Sequence, residues 1–355
     1  MKTTSMLGQM FMIGISGHTL TSEEKDFIIQ NDIGGVILFS RNVSTPEQIL
    51  KLTTEIQDLS QHTESQLPLL ISIDMEGGRV ARLKEPFTIW PPMRYLGDQS
   101  SPQLAFEVGQ ALGAELLAVG INMDFAPCID VFLNPKNEVI GDRAFSDDPE
   151  EVAKIASGII RGFKKVGMVS CVKHFPGHGY TSVDSHFDLP VDPRNWNELL
   201  ESEIIPYKKC FRSKVEFLMT AHILFENIDA QYPVTLSEKF LKQHLREELN
   251  YPGLVITDDL DMKALSKNAS AEDLTFKALQ AGANMFLFCN NPESHTLAVE
   301  AMMDRVGQLD EAHLNHIKQS FDLILEVKDN LPTETPSLDI IGCEKHKELV
   351  QKIKA

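Results

Sequence analysis

Residues 35–59 have the sequence GVILFSRNVSTPEQILKLTTEIQDL, in which a short apolar run precedes an amphipathic segment. The run Gly35–Phe39 is too short for a helix and is typical of a buried strand. Thr45, Pro46 and Gln48 then supply the N-cap, first-turn proline and capping-box side chain of a helix. Apolar side chains follow at helical spacing, at Ile49, Leu52, Ile56 and Leu59. The stretch therefore predicts one strand–helix unit.

The same unit recurs along the chain. Pro102 and Pro149 open two further helices, and Gly120 and Gly167 follow their ends. Eight strands that alternate with helices favour parallel βαβ units with right-handed crossovers. The other seven apolar runs are Met10–Ile15, Leu69–Ile73, Ile121–Ala126, Ser170–Val172, Phe217–Ala221, Leu254–Thr257 and Ala283–Phe288.

We therefore predict an α/β fold, a single (β/α)8 barrel of the TIM type over residues 1–330. A tail over residues 331–355 is predicted to be helical and packed on the barrel. An open, doubly wound sheet is the alternative, because the strand pattern alone does not distinguish the two. The length of 355 residues fits one barrel domain.

Composition excludes some functions. The formal net charge of −18 argues against nucleic acid or an anionic membrane surface as a partner. The five cysteines include no CxxC pair, which indicates reduced thiols and a cytoplasmic location. The apolar segment Met6–Ile15 is interrupted by Gly8 and Gln9, so it is interpreted as the first strand and not as a signal peptide. We expect a small-molecule substrate; the sequence does not predict an oligomeric state.

Barrel enzymes carry their working residues just after the carboxyl ends of the strands. Residues 74–82, DMEGGRVAR, follow the third run and bring two carboxylates and two arginines around a glycine pair. Asp74 suits hydroxyl recognition, with Arg82 in support, although a structural ion-pair cluster explains the same pattern. Arg143, in the long polar loop after the fourth run, is a candidate because a guanidinium suits oxygen-rich ligands.

Residues 173–186, KHFPGHGYTSVDSH, follow the fifth run and hold three of the eleven histidines. Asp184 and His186 are two residues apart, so an extended backbone places both side chains on one face. The carboxylate can then orient the imidazole for proton transfer near neutral pH. A zinc site formed by His174, His178, His186 and Asp184 is an alternative, although Lys173 would repel a cation.

Two later runs end in polar residues as well. His222 follows the sixth run, where it either orients a neighbouring carboxylate or is a buried structural histidine. Asp258 follows the seventh run at the position where a rigidly held nucleophile is expected. Asp259 and Asp261 come directly after it, so a cation site is an alternative at this point.

Together these motifs resemble glycoside hydrolase family 3, in its β-N-acetylglucosaminidase branch of peptidoglycan recycling. The resemblance runs from about Gly8 to Asn330, in the expected order. Its most specific part is the motif K-H-F-P-G-H-G-x-x-x-x-D-S-H. The matching segments are Asp74–Arg82, Ile140–Phe145, Lys173–His186, Phe217–His222, Asp229, Pro233–Ser237 and Thr257–Met262.

The resemblance implies a retaining hydrolase without metal or cofactor. Asp258 would be the nucleophile, His186 the acid/base and Asp184 its supporting carboxylate. The N-acetylglucosamine ring would be held by Asp74, Arg82, Arg143, Lys173 and His174. A histidine then replaces the second carboxylate that glycosidases generally use.

The chain departs from the family pattern at Tyr180, where many relatives carry a different and often acidic residue. This puts the leaving-group preference in question, not the reaction class. Three other functions stay open: a metal-dependent hydrolase on the same barrel, a sugar-binding protein without activity, and a relative that cleaves β-glucosides or N-acetylgalactosaminides. A purely binding protein has no use for the Asp258 nucleophile.

Overall fold

The computed structural model describes residues 1–181, 188–267 and 269–355. Its centre is an eight-stranded parallel sheet in the order β7-β6-β5-β4-β3-β2-β1-β8. A parallel bridge between Ile256 and Met285 joins β7 to the start of β8 and closes the circle. The predicted (β/α)8 barrel is confirmed. The strands are β1 (Phe11–Gly14), β2 (Gly35–Leu38), β3 (Leu70–Ile73), β4 (Met123–Asp124), β5 (Val169–Phe175), β6 (Phe217–Thr220), β7 (Leu254–Ile256) and β8 (Phe286–Phe288).

Helices surround this sheet. In the described residues the α-helices are α1 (Thr3–Gly8), α2 (Ser22–Gln30), α3 (Pro46–Asp58), α4 (Met93–Asp98), α5 (Pro102–Ala118), α6 (Pro149–Val166), α7 (Trp196–Leu200), α8 (Ile204–Arg212), α9 (Lys263–Ser266), α10 (Ala271–Ala281), α11 (Pro292–Arg305), α12 (Glu311–Asp329) and α13 (Glu344–Lys354). A π-helix spans Lys239–Glu248. Short 3-10 turns lie at Ser40–Asn42, Leu59–His62, Gly141–Arg143, Val234–Leu236, Val306–Gln308 and Leu338–Ile340. Two short strand pairs lie outside the barrel: an antiparallel hairpin of Met75–Gly77 and Val80–Ala81, and a parallel pair of Val191–Asp192 and Leu224–Phe225.

The predicted helix starts are present as hydrogen-bonded caps. The Thr45 hydroxyl accepts the amide of Gln48 at 3.2 Å, and Ser101 caps α5 in the same way. Asp148 accepts the amide of Glu150 at 2.8 Å at the start of α6. That helix ends at Gly167, whose φ of 85° suits a residue without a Cβ.

Two boundaries differ from the prediction. Residues 6–8 belong to α1, so the first strand starts only at Phe11. Strand β5 runs from Val169 to Phe175 and is longer than predicted. Lys173 and His174 were predicted in a loop because they are polar. They lie in the strand because ion pairs and hydrogen bonds satisfy them within the protein.

The segment after residue 330 ends in α13, which contacts α4 and α5. Its connection depends on Glu115 of α5, which accepts hydrogen bonds from the Gly342 amide at 3.0 Å and from His346 Nδ1 at 2.6 Å. The same carboxylate accepts from the amide and hydroxyl of Thr88. Burial alone would raise the pKa of Glu115, but the bonds from His346 and Thr88 lower it overall. The division into a 1–330 domain and a tail stays a prediction.

All five cysteines are unpaired, and all except Cys343 are buried. The buried thiols serve as small packing groups in this fold.

Among the described ranges, none of the helices has both the length and the apolar character that a bilayer crossing requires.

Candidate active site

Polar side chains from several strands meet at the carboxyl end of the barrel. Asp74 directly follows β3, and Asp124 is the last residue of β4. Lys173 and His174 lie near the end of β5, and Asp258 lies two residues beyond β7. Because parallel strands of a barrel end at the same rim, these groups face a common opening.

Lys173 lies at the centre of the first cluster. Its ammonium group lies 2.7 Å from Asp74 Oδ1 and 2.7 Å from Glu76 Oε1. The side chain is only 3% exposed, so the charge depends on these two carboxylates. Burial alone would lower the pKa of Lys173, but Asp74 and Glu76 outweigh it and raise the pKa.

Glu76 connects this lysine to Arg143. Its two carboxylate oxygens accept from Arg143 Nε at 2.9 Å and Nη2 at 2.7 Å, which is a bidentate pair. Burial alone would raise the pKa of Glu76, but Arg143 and Lys173 hold it far below its ordinary value. With 1% side-chain exposure, Glu76 is placed to orient two cations and not to touch a ligand.

Arg82 closes the outer side of the cluster. Its Nη2 lies 3.2 Å from Asp74 Oδ2, and the guanidinium lies 5.4 Å from the centre of the Phe39 ring. The side chain of Arg82 is 30% exposed, against 3% for Lys173. Arg82 is therefore the partly exposed cation at the opening of the barrel, whereas the ammonium group of Lys173 is buried within the cluster.

His174 is oriented by Asp130. Its Nδ1 lies 2.7 Å from Asp130 Oδ2, and Arg143 Nη2 lies 3.5 Å from its Nε2. Because Arg143 is a donor only, this arrangement assigns the ring proton to Nδ1. Burial alone would raise the pKa of Asp130, but His174, with the amide and ring of His178, lowers it to about 2.

His174, Asp130 and Cys128 are the group of described residues whose potential metal-ligand atoms lie within 4.8 Å of one another. The Cys128 thiol donates to Asp130 Oδ2 at 3.3 Å. Burial, and then the Asp130 charge, raises the pKa of Cys128 well above its ordinary value. Hydrogen bonds from Cys128 and His174 to Asp130 join the three side chains in the described structure. Asp184 and His186, two of the four members of the alternative zinc set, lie outside the described residues.

Asp258 is half-buried beyond β7, and its Oδ1 accepts the amide of Asp259 at 2.8 Å. His222 holds the same turn from below: its Nε2 lies 3.0 Å from the Asp259 carbonyl oxygen and its Nδ1 lies 2.7 Å from Thr235 Oγ1. Burial raises the pKa of the Cys289 thiol, and the charges of Asp259, Asp74 and Asp258 raise it further. Asp258 follows β7 and Asp74 follows β3, so both lie at the carboxyl end of the barrel.

Asp124 lies beneath the ion-pair cluster. Its side chain is fully buried, and Oδ1 accepts the amide of Met75 at 2.9 Å. Within the described part of the chain its Oδ2 has no hydrogen-bond partner. Burial raises the pKa of Asp124 well above its ordinary value and therefore favours the neutral form of this carboxyl group.

A family model for the glycosyl hydrolase family 3 N-terminal domain matches residues 3–327. The chain belongs to this family. A β-hexosaminidase of Nitrosospira multiformis is 41% identical over 80% of this chain and 81% of its own length, and one of Nitrosomonas eutropha is 37% identical over 86% and 88%. Among solved structures, a family 3 β-N-acetylglucosaminidase from Paenibacillus sp. is 35% identical with a TM-score of 0.92, covering 99% of this chain and 68% of the other. NagZ from Neisseria gonorrhoeae, in complex with N-trifluoroacetyl-D-glucosamine, is 32% identical with a TM-score of 0.78, covering 97% and 96%.

The predicted family, in its β-N-acetylhexosaminidase branch, is thus confirmed. Within this family 3 barrel the structure brings Asp74, Arg82 and Lys173 into direct contact, and Arg143 within 3.5 Å of His174. Asp258 lies on the same rim, without a direct contact to these five among the described interactions. Asp184 and His186 fall in residues 182–187, which the structure does not describe. The roles of all eight residues remain predictions.

Sequence reasoning missed two residues that organise this family 3 site. Glu76 was recognised only as part of an acidic turn, and Asp130 was not singled out. A signal for Asp130 exists, because it is one carboxylate in the apolar segment FAPCIDVFL (residues 125–133). A charge in such surroundings requires a buried partner, and His174 is that partner.

Asp259 gives the fold a dependence on pH. Burial, aided by the charges of Asp261 and Asp258, raises its pKa from 3.8 to about 7. A raised carboxyl pKa stabilises the fold below about pH 4, and this stability is lost as the pH rises through 7. Asp259→Asn keeps an oxygen to accept the amides of Asp261 and Cys289. We expect the variant to lose less stability than wild type between pH 4 and pH 8, by a difference on the order of 4 kcal/mol at most.

Urea unfolding of both proteins at pH 4, 5, 6, 7 and 8 measures this difference. Asp304→Asn is the control, because Asp304 is an exposed carboxylate on α11. Parallel pH profiles for wild type and Asp259→Asn would show that Asp259 does not titrate in this range.

Proposed function

We propose that the protein is a retaining β-N-acetylglucosaminidase that releases terminal N-acetyl-β-D-glucosamine through a covalent ester with Asp258. The observation that carries the proposal is the rim geometry. A half-buried carboxylate, fixed by the amide of Asp259, lies on the same rim as the cluster of Asp74, Lys173 and Arg143. Such a set provides a nucleophile together with charged donors and acceptors for sugar hydroxyl groups.

The binding roles follow from exposure and charge. The side chain of Asp74 is 17% exposed and is held between Lys173 and Arg82. Its carboxylate can therefore accept a hydrogen bond from a sugar hydroxyl group without changing conformation. Arg143 Nη2 and His174 Nε2 lie 3.5 Å apart, so these two side chains would bind neighbouring groups of the sugar. Glu76 and Asp130 hold these two side chains in place from the protein side. Such preorganised contacts orient the sugar before the reaction starts.

In the first step the Asp258 carboxylate attacks the anomeric carbon. A C–O bond to Asp258 forms, the glycosidic C–O bond breaks, and its electron pair remains on the leaving oxygen. His186 donates a proton to that oxygen, and Asp184 stabilises the imidazole. The histidine replaces the second carboxylate of the usual pair, and its ordinary pKa near 6.5 suits both directions of proton transfer.

In the second step His186 removes a proton from water, and the water oxygen attacks the anomeric carbon of the ester. The bond to Asp258 breaks, which regenerates the carboxylate. Two inversions leave the sugar with retained β configuration. Each role is assigned from the family motif, position by position, and no metal takes part in either step.

We propose peptidoglycan-derived fragments as the physiological substrate and the cytoplasm as the location. The substrate follows from the resemblance to the branch of peptidoglycan recycling. The location is supported by five unpaired thiols, which suit a reducing compartment.

The test is hydrolysis of 4-nitrophenyl N-acetyl-β-D-glucosaminide with and without EDTA, with proton NMR of the first sugar released. We expect chelator-resistant hydrolysis in which the β anomer appears first and then mutarotates. An α anomer as first product would contradict the covalent mechanism. Activity that EDTA abolishes would instead support a metal-dependent hydrolase on the same barrel.

A comparison of two neighbouring carboxyl groups tests the binding site. Asp74→Asn removes a charge that pairs with Lys173 and Arg82, so we expect kcat/KM to fall about 10- to 100-fold. Asp124→Asn replaces a buried carboxyl group, whose pKa is raised by burial and which forms no ion pair among the described residues, by an amide of the same shape, so we expect a change of less than about threefold. Steady-state kinetics on the nitrophenyl substrate measures both. An equal loss in the two variants would indicate that Asp74 is structural.

A further inference from the structure

Tyr180 is an aromatic residue that the mechanism does not use. It lies in the loop after β5, and 41% of the residue is exposed, whereas the flanking Gly179 and Thr181 are buried. Single exposed aromatic residues are common and need no explanation by themselves. The surroundings of Tyr180, however, hold its ring in one orientation.

The ring lies against a fixed cation. The Arg194 guanidinium is 4.2 Å from the ring centroid. Arg194 is itself held by Asp192 Oδ2 at 2.6 Å and Glu203 Oε1 at 2.5 Å, and both carboxylates are at most 1% exposed. A guanidinium with two buried partners does not rotate freely, so it forms a rigid support for the ring. The exposed surface of Tyr180 is therefore the opposite face and the edge of its ring.

The backbone of this loop is fixed as well. The carbonyl oxygen of Tyr180 accepts from Asn134 Nδ2 at 3.1 Å, and that of Gly179 accepts from the amide of Asn134 at 3.1 Å. A Cβ at Gly179 would lie 1.7 Å from the carbonyl oxygen of Val131, so only glycine allows this close approach. Tyr180 is thus held by its backbone and by its ring.

We propose that Tyr180, supported by Arg194, is a stacking platform for the leaving sugar of a disaccharide substrate. The proposal rests on the proposed glycosidase function and names the determinant of its leaving-group preference. The C–H face of a pyranose packs on an aromatic ring, and the phenol hydroxyl can exchange hydrogen bonds with sugar hydroxyl groups.

Position in the chain favours the leaving sugar over the N-acetylglucosamine that is transferred. Tyr180 follows His178, whose amide binds the Asp130 that orients His174, and it precedes Asp184 and His186 by four and six residues. The acid/base must reach the oxygen that joins the two sugars. A platform at the start of the acid/base segment is therefore expected beside the second sugar, whereas Asp74, Lys173 and Arg143 occupy the side of the first.

The experiment compares two substrates that share the transferred sugar. N,N′-diacetylchitobiose has a pyranose as leaving group, and N-acetyl-β-D-glucosaminyl azide has a leaving group of three atoms. The readout is the ratio of kcat/KM for the disaccharide to kcat/KM for the azide. The proteins are wild type, Tyr180→Ala, Tyr180→Phe and Tyr95→Ala; Tyr95 is a matched control because it is 49% exposed on α4.

We expect the ratio to fall about 5- to 10-fold in Tyr180→Ala and to stay within about twofold of wild type in Tyr180→Phe, which keeps the ring. Tyr95→Ala should keep both the wild-type ratio and the wild-type rates. An unchanged ratio in Tyr180→Ala would overturn the platform, and so would equal losses on both substrates, because they indicate a structural role in the loop. A wild-type protein that cleaves neither substrate would instead overturn the proposed function.

Discussion

Replacing Asp258 with asparagine is expected to lower kcat/KM for 4-nitrophenyl N-acetyl-β-D-glucosaminide by at least about 10³-fold. The amide has the shape of the carboxylate and keeps an oxygen that can accept the amide of Asp259. It cannot form the glycosyl ester or balance the positive charge that develops at the anomeric carbon. The fold should persist, because Asp258 is only half-buried and pairs with no cation in the described structure.

A second variant separates a nucleophile from a carboxylate with another role. In Asp258→Gly the space on the attacking side is open to azide, which can form a C–N bond at the anomeric carbon while the leaving group takes its proton from His186. We expect added sodium azide to restore measurable turnover with N-acetyl-α-D-glucosaminyl azide as product, identified by NMR. Asp261→Asn is the control and should keep wild-type kinetics without azide. A β-azide product, or an Asp258→Asn enzyme with wild-type rate, would remove Asp258 from this role.

The second large effect is expected on stability. Glu76→Gln removes the carboxylate that pairs with two buried cations, Lys173 and Arg143. Breaking a buried ion pair by removal of one partner costs about 3–5 kcal/mol, because the remaining charges stay buried. We expect a loss of that size in the free energy of unfolding from urea denaturation, together with a raised KM, since Lys173 and Arg143 lose the contact that orients them.

The control for Glu76 is Asp142→Asn. The ion pair of Arg79 and Asp142 is 46% and 48% exposed, so its loss should cost about 0–1 kcal/mol. The lowered pKa of Glu76 also determines how its contribution to stability changes with pH. Because the pKa of Glu76 is lowered, its stabilisation is present above about pH 4.5 and is lost as the pH falls toward its value in the fold. The deficit of Glu76→Gln should therefore be the same at pH 6 and pH 8. If Glu76→Gln lost no more free energy of unfolding than Asp142→Asn, the pairing of Glu76 with Lys173 and Arg143 would not be required for stability.

The barrel could be predicted from the sequence because its signals are local. Short apolar runs and capped helices alternate, and the caps at Thr45, Ser101 and Asp148 are present as hydrogen bonds. The end of β5 could not be predicted in this way. Lys173 and His174 stand inside a strand only because Asp74 and Glu76 pair with the lysine and Asp130 binds the histidine, and those partners lie in the segments that follow β3 and β4.

The site was predictable as a set of residue types, but not as a network. The motifs indicated Asp74, Arg82, Lys173 and Arg143 as neighbours, and the structure places them in one cluster around Glu76. The segment Asp74–Glu76 contains two carboxylates. The direction of each side chain at the strand end decides which of them is buried, and sequence spacing alone does not give this direction. The same holds for Asp124, whose raised pKa results from complete burial at the barrel centre.

The closure of the barrel has a consequence for biosynthesis. Phe11 of β1 pairs with Phe286 of β8, so the first strand lacks one neighbour until the ribosome has made almost the whole barrel. At about 5–20 residues per second, this interval is roughly 15–60 s. During that time β1 presents an unpaired edge of apolar residues, which is a site for association with other nascent chains. Chaperone binding to the amino-terminal part of the nascent chain is therefore expected to end only when β8 is released from the exit tunnel.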